Sequence, residues 1–221
     1  MEKISFKERV RRTVIACSRK YKEIFIDYDY LVCSPVFTCG YYIISAREDN
    51  FQHLTGVHSL ITPKEFFNKC CNGTLSLDDF DFLKKGQSEK SVKGSVREKI
   101  SVLENTMELF TYKEIFAEES FKKNKVVCSF ATAVPTFTIG FINNKYSTPK
   151  SLMKNNQLSG NYKKVDLVIR KKRSELLFNE IVIGDAESVG KYSEMIKLIV
   201  SVDLAADCRV KGGDALCKAI T

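Results

Sequence analysis

The positions of helix-like and strand-like patterns along the chain constrain its fold more than any other feature. In the first half, apolar residues recur at steps of three or four, as in residues 4–21 and 96–110, and form one stripe of a helix. The second half contains short apolar runs rich in Val, Ile, Phe and Tyr, which is typical of β-strands. The sequence therefore predicts the α+β class, with N-terminal helices packed on an antiparallel β-sheet.

Local signals predict the individual elements. Helices are predicted over residues 4–21, 63–71, 76–85, 96–110 and 188–202. Strands are predicted over residues 24–33, 36–46, 112–117, 126–133, 136–143, 164–170 and 176–183. Two polar segments, 84–94 and 144–163, are predicted to be loops. We expect a single domain over residues 1–202, followed by a weakly predicted C-terminal tail over residues 203–221.

The chain is basic. Lys and Arg outnumber Asp and Glu by 35 to 27, which gives a formal net charge of +8. A basic surface attracts polyanions, first nucleic acid and then acidic membranes or proteins. RNA is therefore the expected partner, although a basic protein that binds no polyanion has the same composition.

The cysteines and the termini indicate a soluble, cytoplasmic protein without a membrane segment. The first residues lack the apolar core of a signal peptide, and no apolar run approaches the roughly 20 residues of a membrane helix. We interpret the eight cysteines as reduced thiols, and the lack of a CxxC pair argues against zinc. The glycine-rich loops that bind nucleotide phosphates, GxxxxGK[ST] and GxGxxG, do not occur in the sequence. We therefore expect no metal and no cofactor.

The segment Phe51–Ser59 contains the only two histidines, His53 and His58. Histidine exchanges protons near neutral pH, so the pair suits general acid and base catalysis. The alternative is that one or both are structural histidines held by hydrogen bonds. A two-histidine phosphoesterase is excluded, because that pattern needs a second His-x-Thr/Ser element and no third histidine exists.

Basic residues occur at two further places. Arg97 and Lys99 lie near the start of the long predicted helix, where a cation opposes the favourable sense of the helix dipole. This small cost suggests another role, such as holding a phosphate. The run Arg170, Lys171, Lys172 and Arg173 joins two predicted strands as a basic hairpin turn. It either binds phosphates or keeps that end of the sheet soluble.

The order of these elements resembles a phage- and prophage-associated family in the barnase–EndoU–colicin–RelE-like nuclease group. The resemblance covers roughly residues 10–183 and depends mainly on Asn50–Val57, a Phe-x-His-Leu-x-Gly type segment. A weaker match is Arg97-Glu98-Lys99-Ile100. The fold that it implies is N-terminal helices followed by a four-stranded antiparallel sheet.

The resemblance also implies a function, which is metal-independent RNA cleavage by a toxin or effector of phage or mobile-element origin. His53, with His58 or Thr55, would transfer protons. Phosphate would be held by Arg97, Lys99, Arg170, Lys171, Lys172 and Arg173. A cognate inhibitor protein would be a further partner, and the oligomeric state stays open. The alternative is a non-enzymatic regulator or inhibitor that binds nucleic acid or protein through a degenerate nuclease fold.

Overall fold

A computed structural model describes residues 4–204 of the chain, so most of the predicted tail lies outside the described residues. The helices are α1 (Phe6–Tyr21), α2 (Asn50–Thr55), α3 (Pro63–Asn72), α4 (Glu89–Thr106) and α5 (Ala186–Ile196). The strands are β1 (Tyr28–Cys33), β2 (Tyr41–Ile44), β3 (His58–Ser59), β4 (Phe80–Asp81), β5 (Phe116–Glu119), β6 (Lys122–Lys123), β7 (Val126–Val127), β8 (Phe130–Val134), β9 (Phe137–Asn143), β10 (Ser147–Lys154), β11 (Tyr162–Lys164), β12 (Leu167–Lys172) and β13 (Glu180–Ile183).

One large sheet dominates the described part of the chain. Its nine strands have the order β11-β5-β8-β9-β10-β2-β1-β12-β13. Neighbouring strands are antiparallel except for β10 and β2, which pair in parallel where Ser147 meets Ile44. The predicted α+β class is therefore confirmed. The sheet is larger than the four strands that the family resemblance implies.

Strand β1 lies between β2 and β12 and is buried on both faces of the sheet. Tyr30 and Val32 face the main core, to which α1 to α4 contribute. Leu31 and Cys33 belong to a second core with α5. Because successive side chains of a strand point to opposite faces, the sheet separates the N-terminal helices from α5. The apolar run of β1 reflects this double burial.

The loop predicted over residues 144–163 is wrong. The segment contains β10 and β11, and β10 pairs along its length with β9. Ser147, Pro149 and Ser151 are buried in this strand although none is a strong strand former. An irregularity in the pairing between Pro149 and Ser151 accommodates the proline, which cannot donate to a regular ladder. Tertiary pairing here overrides a polar sequence.

The boundary predicted for the long helix is also wrong. Helix α4 begins at Glu89, because the Ser88 side chain accepts a hydrogen bond from the backbone N–H of Ser91. The segment 76–85 is not a helix but a short 3-10 turn, Leu77–Asp79, followed by β4. The strand predicted over residues 24–33 begins later than expected, because Lys22–Ile26 form a π-helical turn before β1.

The cysteines that the structure describes are all free thiols: Cys17, Cys33, Cys39, Cys70, Cys71 and Cys128. Burial raises the pKa of Cys17 to about 11 and of Cys33 to about 12, so both stay protonated. Cys208 and Cys217 lie outside the described residues. Within residues 4–204, no helix is long and apolar enough to cross a bilayer.

Candidate active site

The histidine segment, expected to follow a strand as a binding loop, forms the short helix α2. Phe51 and Leu54 are fully buried and hold this helix against the main core. His53 lies between them in sequence and is exposed. The apolar residues therefore fix the position of α2 and leave the imidazole accessible to a substrate.

The end of α2 is built around Thr55 and Gly56. Gly56 adopts a left-handed conformation with φ of 77°, and its N–H donates to the carbonyl of Gln52 at 3.3 Å. Thr55 is buried, its hydroxyl donates to the same carbonyl at 2.7 Å, and it accepts from the N–H of Val57 at 3.3 Å. These bonds give Thr55 a structural role at the helix end.

Two lysines from distant segments bind the carbonyl end of α2. Lys99 of α4 donates from its Nζ to the carbonyl of His53 at 3.0 Å. Lys84 donates from its Nζ to the carbonyl of Gly56 at 2.8 Å. Cations at this end of a helix interact favourably with the free carbonyls. The same contacts bring two ammonium groups close to His53.

The electrostatic environment of His53 favours its neutral form. Partial burial lowers the pKa of the imidazole, and Lys99, Lys84 and Lys150 lower it further, against the opposing charge of Asp49. Burial also lowers the pKa of Lys99 to about 8, with a smaller contribution from Lys84. A neutral imidazole among ammonium groups can accept a proton while the cations attract an anion.

His58 lies in a different arrangement. It is on β3, and its Nδ1 is 2.8 Å from Oδ1 of Asp81 on the paired strand β4. Burial of Asp81 raises the pKa of this carboxyl, but hydrogen bonds from the Leu83 N–H and from His58 outweigh it and lower the pKa. The ring of His58 is exposed, with a carboxylate that fixes its orientation.

Arg97 and Lys99 diverge, although they lie two residues apart on α4. Two steps along an α-helix turn the side chain by about 200°. Lys99 reaches α2, whereas the guanidinium of Arg97 lies 5.0 Å from the ring centroid of Phe6. The structure therefore brings Lys99 to His53 and places Arg97 on another face of α4.

The basic run 170–173 is not a hairpin turn. Arg170, Lys171 and Lys172 belong to β12, and Arg173 follows that strand. Three of these cations are paired with carboxylates on neighbouring strands: Arg170 with Glu180 at 2.5 Å, and both Lys171 and Arg173 with Asp29 at 3.3 Å. The side chain of Lys172 is exposed. Most of the charge of this run is thus used within the sheet.

Sequence reasoning missed Lys84 and Lys150, which both contribute to the environment of His53. Both lie in segments that were predicted to be loops. Nothing in their spacing indicates that they approach α2, because the approach depends on the placement of β10 and of residues 82–88. Only Lys99 was singled out from the sequence, through its position near a helix start.

Other places in the described residues differ from the histidine site. No group of three His, Cys, Asp or Glu side chains among residues 4–204 is arranged to hold a metal ion. A cavity of about 770 Å³ lies near the start of α5, and its lining includes Lys113, Lys164, Asp166 and Lys191. The candidate catalytic residues do not line it, so cavity size alone does not mark the histidine site.

Comparison with known proteins identifies a family. A family model described as phage-Barnase-EndoU-ColicinE5/D-RelE like nuclease4 matches residues 13–187. This range includes α2, α4 and the strands of the large sheet. No curated protein and no solved structure matches the chain.

Proposed function

We propose, since the chain belongs to the phage-Barnase-EndoU-ColicinE5/D-RelE like nuclease4 family, that it is an endoribonuclease whose reaction needs no metal ion. The observation that carries this proposal is the exposed imidazole of His53 with the ammonium groups of Lys99 and Lys84 beside it. The net charge of +8 supports a polyanionic substrate.

In the proposed reaction, neutral His53 takes the proton of the ribose 2′-hydroxyl. The 2′ oxygen then attacks the adjacent phosphorus, and the bond from phosphorus to the 5′ oxygen breaks. Lys99 and Lys84 stabilise the charge that develops on the phosphorane oxygens. The pKa of Lys99, about 8, suits it to protonate the leaving 5′ oxygen near neutral pH. The products are a 2′,3′-cyclic phosphate and a 5′-hydroxyl.

The other candidate residues have supporting or alternative roles in this proposal. Thr55 shapes the end of α2 that carries His53. The exposed pair of His58 and Asp81 is a second place where proton transfer is chemically feasible. Lys172 remains available to a phosphate. In the cell, the proposed role is a toxin or effector of phage or mobile-element origin, with a cognate inhibitor protein as its partner.

One observation favours a second candidate, a non-enzymatic protein that binds nucleic acid. Lys99 and Lys84 each donate a hydrogen bond to a carbonyl at the end of α2, so both stabilise the fold in the absence of a substrate. A chain that keeps these contacts can retain the fold and the basic surface of a nuclease while it lacks catalysis. Regulation or inhibition of a related enzyme would then be its function.

Incubation with RNA in the presence of EDTA separates the two candidates. We expect single-stranded RNA to be cut under these conditions and the new ends to carry 2′,3′-cyclic phosphates. These ends are identified by their resistance to phosphatase until acid opens the ring. A protein that binds the RNA and leaves it intact would support the binding role and contradict the nuclease proposal.

The salt dependence of RNA binding tests the basic run. If Arg170, Lys171, Lys172 and Arg173 each bound one phosphate, replacing all four by Gln would flatten the slope of log affinity against log salt by roughly 2.8, at about 0.7 per contact. Because three are paired with carboxylates, we expect a change of about 0.7, the share of Lys172 alone. Fluorescence anisotropy over a salt series measures the slope.

A further inference from the structure

A second cavity lies beside α4, at a different face of this helix from the one that carries Lys99. Its volume is about 470 Å³. It opens between the start of α1, the segment that follows β4 and the first half of α4. Its lining residues are Ser5, Phe6, Lys7, Asp81, Phe82, Leu83, Glu89 and Lys93. The volume is in the range of about 300–1,000 Å³ that is common for small-ligand sites.

Aromatic rings form one wall of this cavity. The ring centroids of Phe6 and Phe82 lie 5.3 Å apart, and those of Phe80 and Phe82 lie 6.1 Å apart. Phe80 and Phe82 are buried, whereas Phe6 is partly exposed. Leu83 is 57% exposed at the same place. Phe6 and Leu83 thus present an apolar surface to solvent. The buried rings of Phe80 and Phe82 support this surface from below.

Cations surround the same rings. Lys7 lies 5.4 Å from the ring centroid of Phe80, and Lys93 lies 5.5 Å from that of Phe82. The guanidinium of Arg97 lies 5.0 Å from the ring centroid of Phe6. Aromatic or apolar surface combined with several cations is the arrangement with which proteins hold single-stranded nucleic acid, because the surface stacks bases and the cations bind phosphates.

We propose that this cavity is a subsite for single-stranded RNA, in which Phe6 and Leu83 contact one base while Lys7 and Arg97 bind the flanking phosphates. The inference rests on the proposed ribonuclease function and adds to it the place where a nucleotide outside the cleaved bond is held. It also gives Arg97 a binding role in place of a catalytic one.

The carboxylates in the cavity favour a nucleobase as the ligand over a simple anion. Glu89 is paired with Lys93 at 2.7 Å, so this charge is already balanced. Within residues 4–204, Asp81 is bonded by His58 and by the Leu83 N–H through Oδ1, so its second carboxylate oxygen can accept from an amino group of a base. Such an acceptor favours bases that carry an amino group.

A short segment connects the subsite to the proposed catalytic site. Asp81, Phe82 and Leu83 line the cavity, and the next residue, Lys84, donates to the carbonyl of Gly56 beside His53. One RNA strand that follows this segment would contact both places. The family match begins at residue 13, so Phe6 and Lys7 lie outside it.

Binding measurements with a His53→Ala protein test the proposal, because this background keeps the RNA intact. The ligand is a fluorescein-labelled, unstructured oligoribonucleotide, followed by anisotropy over a salt series. Adding Lys7→Gln and Arg97→Gln removes two of the proposed phosphate contacts. We expect weaker binding and a slope of log affinity against log salt that is flatter by about 1.4, at about 0.7 per contact.

The matched control carries Lys122→Gln and Lys163→Gln, which remove the same charge from exposed positions elsewhere on the protein. A third variant adds Leu83→Glu to the His53→Ala protein and places a carboxylate in the cavity at an exposed position. With 2-aminopurine in the oligonucleotide, we expect binding to quench its fluorescence in the His53→Ala protein and not in the Leu83→Glu variant.

The outcomes separate this inference from the proposed function. If the wild-type protein cuts RNA while the cavity variants bind like the control, the subsite is absent and the nuclease function stands. If RNA stays intact but the cavity variants alone lose binding, the subsite stands and the nuclease function fails. A His53→Ala protein that binds no RNA overturns the subsite directly.

Discussion

Replacing His53 with alanine is expected to lower the rate of RNA cleavage by about 10²–10⁴-fold, the usual contribution of a general acid or base. The imidazole is exposed on α2, whereas Phe51 and Leu54 hold that helix in the core. The substitution should therefore change the free energy of unfolding little. Single-turnover cleavage of a defined oligoribonucleotide and chemical denaturation of the same protein measure the two effects.

The pH dependence of the rate is the second readout of this substitution. A base acts in its neutral form, so the rate should fall as the pH drops through the pKa of His53. Because partial burial and Lys99 lower that pKa, the acid limb is expected below 6.5. If the ammonium of Lys99 is required, the rate should fall again above a pH of about 8. His53→Ala should remove the acid limb only.

Two other histidine variants complete this test. His53→Gln retains a polar side chain of similar reach but cannot act as a base near neutral pH, so it should lose as much activity as His53→Ala. His58→Ala removes the ring that is bonded to Asp81 and should retain most of the cleavage rate. If His58→Ala loses activity while His53→Ala retains it, the general base is to be assigned to the pair of His58 and Asp81 instead of His53.

The histidine segment could be proposed as a site from the sequence because its chemistry is local. His53 and His58 are the only histidines, and they lie in one short stretch next to a Thr-Gly step. Helix signals predicted α1 and α3, since their stripes and caps lie within each element. The α+β class followed from the order of the elements. The helix and histidine inferences need information from only a few neighbouring residues, and the class needs only the order of the elements along the chain.

The rest of the site could not be predicted, because it depends on contacts between distant segments. Strand β10 has a polar sequence and is buried only because β9 pairs with it. Lys150 reaches the vicinity of His53 on that strand, and Lys84 does so from a segment that looked like a mobile loop. For the same reason, Arg97 and Lys99 appeared equivalent in sequence but lie on different faces of α4.

Gly56→Ala is expected to destabilise the protein and to impair cleavage together. Gly56 and Gly73 end α2 and α3 in the same left-handed conformation, with φ of 77° and 72°. An added Cβ at Gly73 meets nothing within 4 Å, whereas at Gly56 it would lie 2.8 Å from Cδ of Lys99. Gly73→Ala is therefore the matched control for backbone strain, which costs about 1–2 kcal/mol.

Gly56→Ala carries that strain and also displaces the Lys99 side chain from the carbonyl of His53. We expect denaturant titration to show a larger loss of stability than in Gly73→Ala, and cleavage to fall by about 10²-fold, as when a charge-stabilising donor is removed. In a Lys99→Ala background the clash disappears, so the two glycine substitutions should then cost the same free energy. A Gly56→Ala enzyme with the wild-type rate would show that the position of Lys99 does not matter for the reaction.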